Sequence, residues 1–137
     1  MRILALDPGT VRVGVAVSDE LGILASPLPH VAAEPFADCA RHVSELIRAR
    51  EVSLVIVGMP RNMDGSYGEA AQRARAFVAA LRDVIQVPIR TWDERLTTVQ
   101  AHKALREGGG KGAVRERIDS AAAAVLLQGF LDAQATS

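Results

Sequence analysis

The segment Ile3–Ser18 has the sequence ILALDPGTVRVGVAVS, which contains two strand patterns joined by a short turn. Four apolar residues, Ile3–Leu6, form a continuous run that is typical of a buried strand. The proline and glycine of Asp7–Thr10 stand where a type II turn favours them, because proline fixes φ and glycine allows a positive φ. Valines then alternate with smaller or polar residues over positions 11–17, which predicts a strand with one face on the core.

The rest of the chain first adds a weaker strand and then alternates helices with strands. Residues 22–29 contain two prolines, which suits an edge strand. The predicted order is β-β-β-α-β-α-β-α-α. The later elements are a helix opened by Pro35, a strand at 54–57, a helix after a Ser66–Glu69 capping box, a strand at 88–92, a helix at 97–108 and a final helix near Ile118.

This order predicts an α/β fold with a five-stranded mixed sheet, in which a three-strand meander is followed by βαβ units and helices cover the faces. At 137 residues, the chain is expected to form one domain over positions 1–137. We also expect the first and last strands to be neighbours, so that their carboxyl ends meet at one edge of the sheet.

Composition limits the classes of protein to which the chain can belong. Apolar residues make up 49% of it and charged residues 23%, which is typical of a globular protein, and no apolar run approaches the length of a membrane helix. A single cysteine, Cys39, fits a reducing, cytoplasmic environment. The 16 basic and 16 acidic side chains cancel, so any contact with nucleic acid must depend on local clusters of cations.

Acidic residues stand at three places where a predicted strand or helix meets a loop. Asp7 ends the first strand, Asp93 and Glu94 follow the last strand, and Asp119 lies near the start of the final helix. Each of them alone has a structural explanation, as a turn residue or as a favourable charge at a helix N-terminus. Their joint placement favours a common site, since carboxyl ends of strands are where α/β sheets bind ligands.

Clustered carboxylates repel one another unless a cation lies between them. Mg²⁺ and Mn²⁺ take oxygen ligands, and a pair of such ions about 3.5–4 Å apart can stabilise both oxygens of a phosphodiester displacement. The three histidines, His30, His42 and His102, lack the spacing of a zinc site. A carboxylate site for Mg²⁺ or Mn²⁺ is therefore the consistent prediction.

Four blocks of sequence together resemble the YqgF/RuvX-type family. These blocks are Leu4–Thr10 with Val13–Ala16 after it, Val57–Ser66, Trp92–Thr98 and Ile118–Ala123. Members of this RuvC-related family are described as Holliday-junction resolvases and as nucleases that mature the 5′ end of pre-16S rRNA. The resemblance spans nearly the whole chain.

The resemblance implies an RNase H-like fold and an acidic triad, which in this sequence is Asp7, Glu94 and Asp119. Strand parity alone does not choose between Asp93 and Glu94, and the resemblance favours Glu94. It further implies a metal-dependent nuclease that processes the 5′ end of pre-16S rRNA in ribosome biogenesis. The alternative within the family is a resolvase that cuts branched DNA.

Several cations are candidates for contacts with the nucleic-acid backbone. The glycine-rich segment 106–117, predicted to be a loop, carries Lys111 and Arg115 and leads to Asp119. Arg61 and Asn62 follow a buried strand, and Arg95 adjoins the acidic pair. A solvated connector and an ordinary turn explain the first two segments equally well.

Two other classes of protein remain open at this point. One is an actin-type ATPase or sugar kinase, which also opens with an Asp-Pro-Gly-Thr hairpin but closes two domains around its nucleotide. The other is a catalytically weak RNase H-like scaffold that binds nucleic acid without cutting it. The expected partner is structured RNA or branched DNA, and the expected state is a monomer or a weak homodimer.

Overall fold

A computed structural model describes residues 1–60, 68–93 and 111–135, with the backbone alone for residue 93 and residues 111–119. No helix in these ranges is both long enough and apolar enough to cross a bilayer. In chain order the elements are β1 (Arg2–Pro8), β2 (Arg12–Ser18), β3 (Ala25–Ala32), α1 (Phe36–Ala49), β4 (Val52–Met59), α2 (Glu69–Arg82), β5 (Ile89–Asp93) and α3 (Lys111–Ala135).

The five strands form one mixed sheet in the order β3-β2-β1-β4-β5. Strands β1, β2 and β3 are an antiparallel meander, whereas β1, β4 and β5 run parallel. The predicted mixed sheet is confirmed, but the expectation that the first and last strands are neighbours was wrong. Strand β4 lies between them because it is buried along almost its whole length and so takes an inner position, which leaves β5 at the edge.

Alternate residues of β1 and β4 supply the two halves of the core. Leu4, Leu6 and Val57 lie in the cluster that α1 and α2 cover, and Ile3 and Ala5 lie in the cluster that α3 covers. Each fully buried large aliphatic side chain stabilises the fold by about 1.5–3 kcal/mol relative to an exposed one. Because successive residues of a strand point to opposite faces, this pattern assigns a face to every position of the central strands.

Strand β3 lies at the other edge of the sheet, as its prolines predicted. Pro27 and Pro29 have no N–H to offer a further strand. The amide of Gln128 on α3 holds the start of β3: its Oε1 accepts from the Ala25 N–H at 2.9 Å, and its Nε2 donates to the Ile23 carbonyl at 2.8 Å. The edge is thus protected by its own sequence and by the helix above it.

Two helices begin at residues other than those predicted. Gly68 is the N-cap of α2, a position that the expected capping box gave to Ser66; Ser66 itself lies outside the described residues. Helix α3 spans Lys111–Ala135, so the prediction of a loop over 106–117 was wrong from residue 111 onwards. Of the glycines that favoured a loop, Gly112 lies in the helix, and 108–110 lie outside the described residues. The predicted helix at 97–108 lies outside the described residues.

Candidate active site

Asp7 occupies the carboxyl end of the central strand. It follows Ile3 and Ala5 at two-residue spacing, and both of those pack beneath α3, so Asp7 has the strand parity of that face. It is partly buried, and its partner in β2 is Gly14, a residue with no side chain to crowd it. A carboxylate is thereby held at the rim of the core, on the side of the sheet that α3 covers.

The turn after Asp7 is tight for a different reason from the one expected. Gly9 does not have the positive φ that a type II turn requires. Instead, its N–H donates to the Arg12 carbonyl at 2.9 Å, and a Cβ on Gly9 would lie 2.8 Å from that same oxygen. Glycine is needed here because the backbone passes so close to itself, and this close approach fixes the point at which the chain leaves β1.

Helix α3 meets the strands near Asp7 through Ser120. The Ser120 hydroxyl is buried, donates to the Leu28 carbonyl at 2.5 Å and accepts from the Val15 N–H at 3.5 Å. Val15 is the partner of Leu6, the residue that precedes Asp7. The backbone of Asp119 therefore belongs to the helical turn that touches the sheet beside Asp7, although the Asp119 side chain is outside the description.

The end of β5 is anchored to the same helix by aromatic packing. The Trp92 and Phe130 rings meet edge to face, with centroids 5.1 Å apart and an interplanar angle of 79°. Trp92 Nε1 lies 4.0 Å from where a Cβ on Gly129 would stand, so the indole packs against the helix surface. Trp92 thus faces α3, and the next residue, Asp93, is paired with Met59 at the carboxyl end of β4.

The other predicted site residues are only partly described. Glu94, Arg61, Asn62 and Arg95 lie outside the described residues. Lys111 and Arg115 lie in α3 rather than in a loop. Among the described side chains, no three of His, Cys, Asp and Glu form a possible metal-binding group. Two of the three predicted ligands, Glu94 and Asp119, are not among those side chains.

Sequence reasoning did not single out Ser120 as a site residue. The available signal was a small polar residue on a helical face that is otherwise apolar, since Ala123, Leu126 and Leu127 fill the core beside it. Serine in such a stripe is easily taken for a small filler. Its hydrogen bonds depend on two strands that are remote in sequence, so the pattern alone could not reveal them.

Comparison with known proteins gives consistent results for sequence and for structure. The family model RuvX, described as Holliday junction resolvase, matches residues 1–133. A protein of Pelotomaculum thermopropionicum is 43% identical over 136 residues, covering 98% of this chain and 88% of its own length. One of Caldanaerobacter subterraneus is 37% identical over 139 residues, covering 100% of both chains. Both relatives are named as candidate pre-16S rRNA nucleases.

Two solved structures that share the fold of this chain are Holliday junction resolvases. T. thermophilus RuvC in complex with a Holliday junction has a TM-score of 0.60 at 17% identity, covering 100% of this chain and 97% of that one. The yeast mitochondrial Holliday junction resolvase has a TM-score of 0.56 at 11% identity, covering 97% and 78%. At these identities the likeness establishes the RNase H-like fold of the RuvC type. With that fold and a family match along nearly its whole length, the chain belongs to the RuvX family.

Proposed function

We propose that this chain is a single-domain, metal-dependent nuclease that cuts a phosphodiester bond of a structured nucleic acid with Asp7, Glu94 and Asp119 as its metal ligands. The substrate that we propose is the 5′ end of pre-16S rRNA. Membership of the RuvX family and the names of relatives at 37–43% identity support this choice of chemistry and substrate.

The observation that carries the proposal is the contact between α3 and β2, the strand next to Asp7. The Ser120 hydroxyl accepts from the Val15 N–H of β2 and donates to the Leu28 carbonyl of β3, and Val15 is paired with Leu6 of β1. This contact supports a site in which acidic residues of the first strand and the last helix, far apart in sequence, come together. Two carboxylates close together repel each other and do not stabilise the fold. A cation bound between them would explain why both acids are present.

Strand parity supports Glu94 over Asp93 as the third ligand. Trp92 packs against α3, on the face whose parity Asp7 shares. Residues two apart in a strand share a face, so if the alternation of β5 continued past its described end, position 94 would have the parity of Trp92 and position 93 that of Thr91. The packing of Trp92 thus supports Glu94, which the family resemblance already favoured.

The donor set fits Mg²⁺ or Mn²⁺. All three proposed ligands are carboxylates, which hard divalent ions prefer, and none is a histidine or cysteine. Bound in this way, a pair of such ions would supply charge stabilisation for the attacking and leaving oxygens of the phosphodiester. The protein's own part would be to hold the acids in place before substrate arrives, and the buried core between β1 and α3 supports this role for Asp7 and Asp119.

Cations near the acids would hold the nucleic-acid backbone. Lys111 and Arg115 precede Asp119 on the same helix, and Arg61, Asn62 and Arg95 lie in segments that follow β4 and β5. Contacts to phosphates position a substrate without reading its sequence. Only 4% of residues are aromatic, so recognition by backbone and shape suits this chain better than base stacking.

A resolvase acting on branched DNA is the second candidate. It is favoured by the description of the matching family and by the fold shared with junction-bound RuvC. The two candidates differ in substrate rather than in ligands, so one cleavage experiment separates them. A scaffold without activity is the third outcome of the same experiment.

The test is a cleavage panel in Mn²⁺ and in Mg²⁺ with a pre-16S rRNA fragment, an unrelated structured RNA, a four-way DNA junction and single-stranded DNA. We expect the rRNA precursor to be cut at its 5′ end, chelator to stop the reaction and Asp7→Asn to abolish it. Asp83→Asn is the matched control, because Asp83 follows α2 and is exposed. Preferential cutting of the junction would favour the resolvase, and no metal-dependent cutting of any substrate would overturn the nuclease.

A further inference from the structure

Two buried polar side chains stand out among the described residues, Ser18 and Ser120, at 2% and 4% exposure. Ser18 joins two adjacent strands: its hydroxyl accepts from the Ile3 N–H of β1 at 2.8 Å and donates to the carbonyl of the next residue, Asp19, at 3.0 Å. Ser120 instead joins a helix to two strands. A buried hydroxyl costs free energy unless it is hydrogen-bonded, so its partners matter more than its size.

Ser120 and Gln128 are two described polar side chains that attach α3 to the meander. Gln128, two turns farther along the helix, binds the Ala25 N–H and the Ile23 carbonyl. The two attachments stand about 12 Å apart along the helix axis, at about 1.5 Å per residue. Each bonds one backbone N–H and one carbonyl of the meander, and Gln128 also donates to Asp132 Oδ1 at 3.0 Å, but they differ in their distance from Asp119.

The position of Ser120 also determines the rotation of the helix at Asp119. Adjacent residues of an α-helix are separated by about 100° around the axis and about 1.5 Å along it. The short bond from Ser120 to Leu28 therefore sets both the height and the rotation of the turn that contains Asp119. Farther along α3, the apolar contacts of Ala123 and Leu127 tolerate small displacements of the helix relative to the sheet. A directional hydrogen bond does not tolerate them.

We propose that Ser120 is a positioning residue for the metal site, holding the turn of α3 that contains Asp119 against the sheet so that Asp119 can share an ion with Asp7. The inference rests on the proposed function, since it needs both acids to be ligands. Residues that orient metal ligands typically change metal affinity or activity by about 10–100-fold when they are removed. A residue that merely stabilised the helix would not change metal affinity selectively.

The test compares Ser120→Ala with Gln128→Ala in the full chain. Thermal unfolding measures what each attachment contributes to the fold, and electron paramagnetic resonance of free Mn²⁺ measures metal affinity without any substrate. Steady-state cleavage at varied Mn²⁺ then gives kcat and KM. We expect similar losses of stability, Mn²⁺ binding weakened about tenfold or more by Ser120→Ala alone, and a kcat that partly recovers at high Mn²⁺ while KM for nucleic acid stays unchanged.

The outcomes separate this inference from the function on which it rests. If wild type binds and uses Mn²⁺, Asp119→Asn loses that binding, and Ser120→Ala behaves like Gln128→Ala, then Ser120 is structural and the inference alone is wrong. If wild type neither binds Mn²⁺ nor cuts any substrate, the proposed function and the inference fall together. A selective loss of Mn²⁺ affinity in Ser120→Ala supports both.

Discussion

The two ends of the central sheet are built in opposite ways. At the amino end, the turn between β2 and β3 is shaped mainly by bonds between neighbours in sequence: the Asp19 carboxylate accepts from the N–H groups of Ile23 at 2.7 Å and Leu24 at 3.2 Å. Gly22 provides the positive φ of 70° that the turn requires. At the carboxyl end, Asp7 follows strand residues that pack against α3, a helix that comes much later in the chain.

This difference suggests that the two ends of the sheet have different roles, one in the stability of the fold and the other in its function. A turn that is shaped mainly by bonds between neighbours in sequence depends less on the rest of the molecule, so it can vary with less effect on a distant site. The acidic residues of the proposed site, by contrast, could meet only through tertiary structure. The carboxyl end is therefore where we expect substitutions to change chemistry, and the amino end is where we expect them to change stability alone.

The largest effect should come from the proposed ligands. Glu94→Gln and Asp119→Asn should each lower metal-dependent cleavage by roughly 100-fold or more, because a lost carboxylate weakens the hold on the ion. Glu20→Gln, at the exposed amino-end turn, is the control with the same change of charge. Cleavage rates at saturating substrate measure the effect, and an Asp119→Asn variant as active as Glu20→Gln would remove Asp119 from the site.

Substitutions of Gly9 and Gly22, one at each end of the sheet, test the difference between the two ends through the backbone. Gly9→Ala would bring a Cβ to 2.8 Å from the Arg12 carbonyl oxygen, so the backbone after Asp7 must move, at a cost of about 1–3 kcal/mol. Gly22→Ala meets no close atom but must adopt φ +70°, at a cost of about 1–2 kcal/mol.

We expect both glycine variants to lower the free energy of unfolding in urea, and only Gly9→Ala to lower cleavage by the folded protein. Equal residual activity in the two folded variants would mean that the exit of the chain from β1 does not position Asp7. Loss of activity in Gly22→Ala would contradict the separation between the two ends of the sheet.

The same contrast explains which parts of the fold the sequence predicted. The strands and the edge prolines depend on periodicity and on residues a few positions apart, so the sequence predicted them correctly. The place of β4 between β1 and β5 depends on burial over both faces, which a short apolar run suggests but does not fix. The glycines before and within the start of α3 favoured a loop over 106–117, but helix propensity is a weak prior and α3 begins at Lys111.

The candidate site was predicted as a set of residue types rather than as an arrangement. Asp7 stood out because an acid followed four apolar residues, and its position at the end of the central strand agrees with that reasoning. The family resemblance already favoured Glu94 over Asp93, and the packing of Trp92 on Phe130 adds support that the sequence does not contain. The attachment through Ser120 needed the register of β2 and β3. Such facts follow from tertiary contacts, which a single sequence does not display.

A smaller effect is expected from the cations at the start of α3. Lys111→Ala and Arg115→Ala should each weaken binding of nucleic acid and reduce the salt dependence of log Kd by about one unit of slope per lost phosphate contact. Arg48→Ala, an exposed cation in the last turn of α1, is the control. Binding is measured with the Asp7→Asn variant at several salt concentrations, and slopes unchanged from Arg48→Ala would mean that the start of α3 does not touch phosphate.

The smallest effect concerns acid stability at the amino end. The N–H of Ile23, followed by other backbone donors, lowers the pKa of Asp19 below its ordinary value of 3.8. A lowered pKa in the folded state means that the stabilisation is complete above the unfolded value and is lost as pH falls through the folded one. Asp19→Asn should therefore differ most from wild type at neutral pH and converge with it below pH 3.8.

Urea unfolding of wild type and Asp19→Asn between about pH 2 and pH 7 measures this convergence. Cleavage at neutral pH should be the same for both, because Asp19 lies at the end of the sheet away from Asp7. A stability difference that stays constant down to the lowest pH would mean that the ionised form of Asp19 contributes nothing beyond what an amide oxygen provides. The local hydrogen bonds of the turn would then account for its stability without any charge.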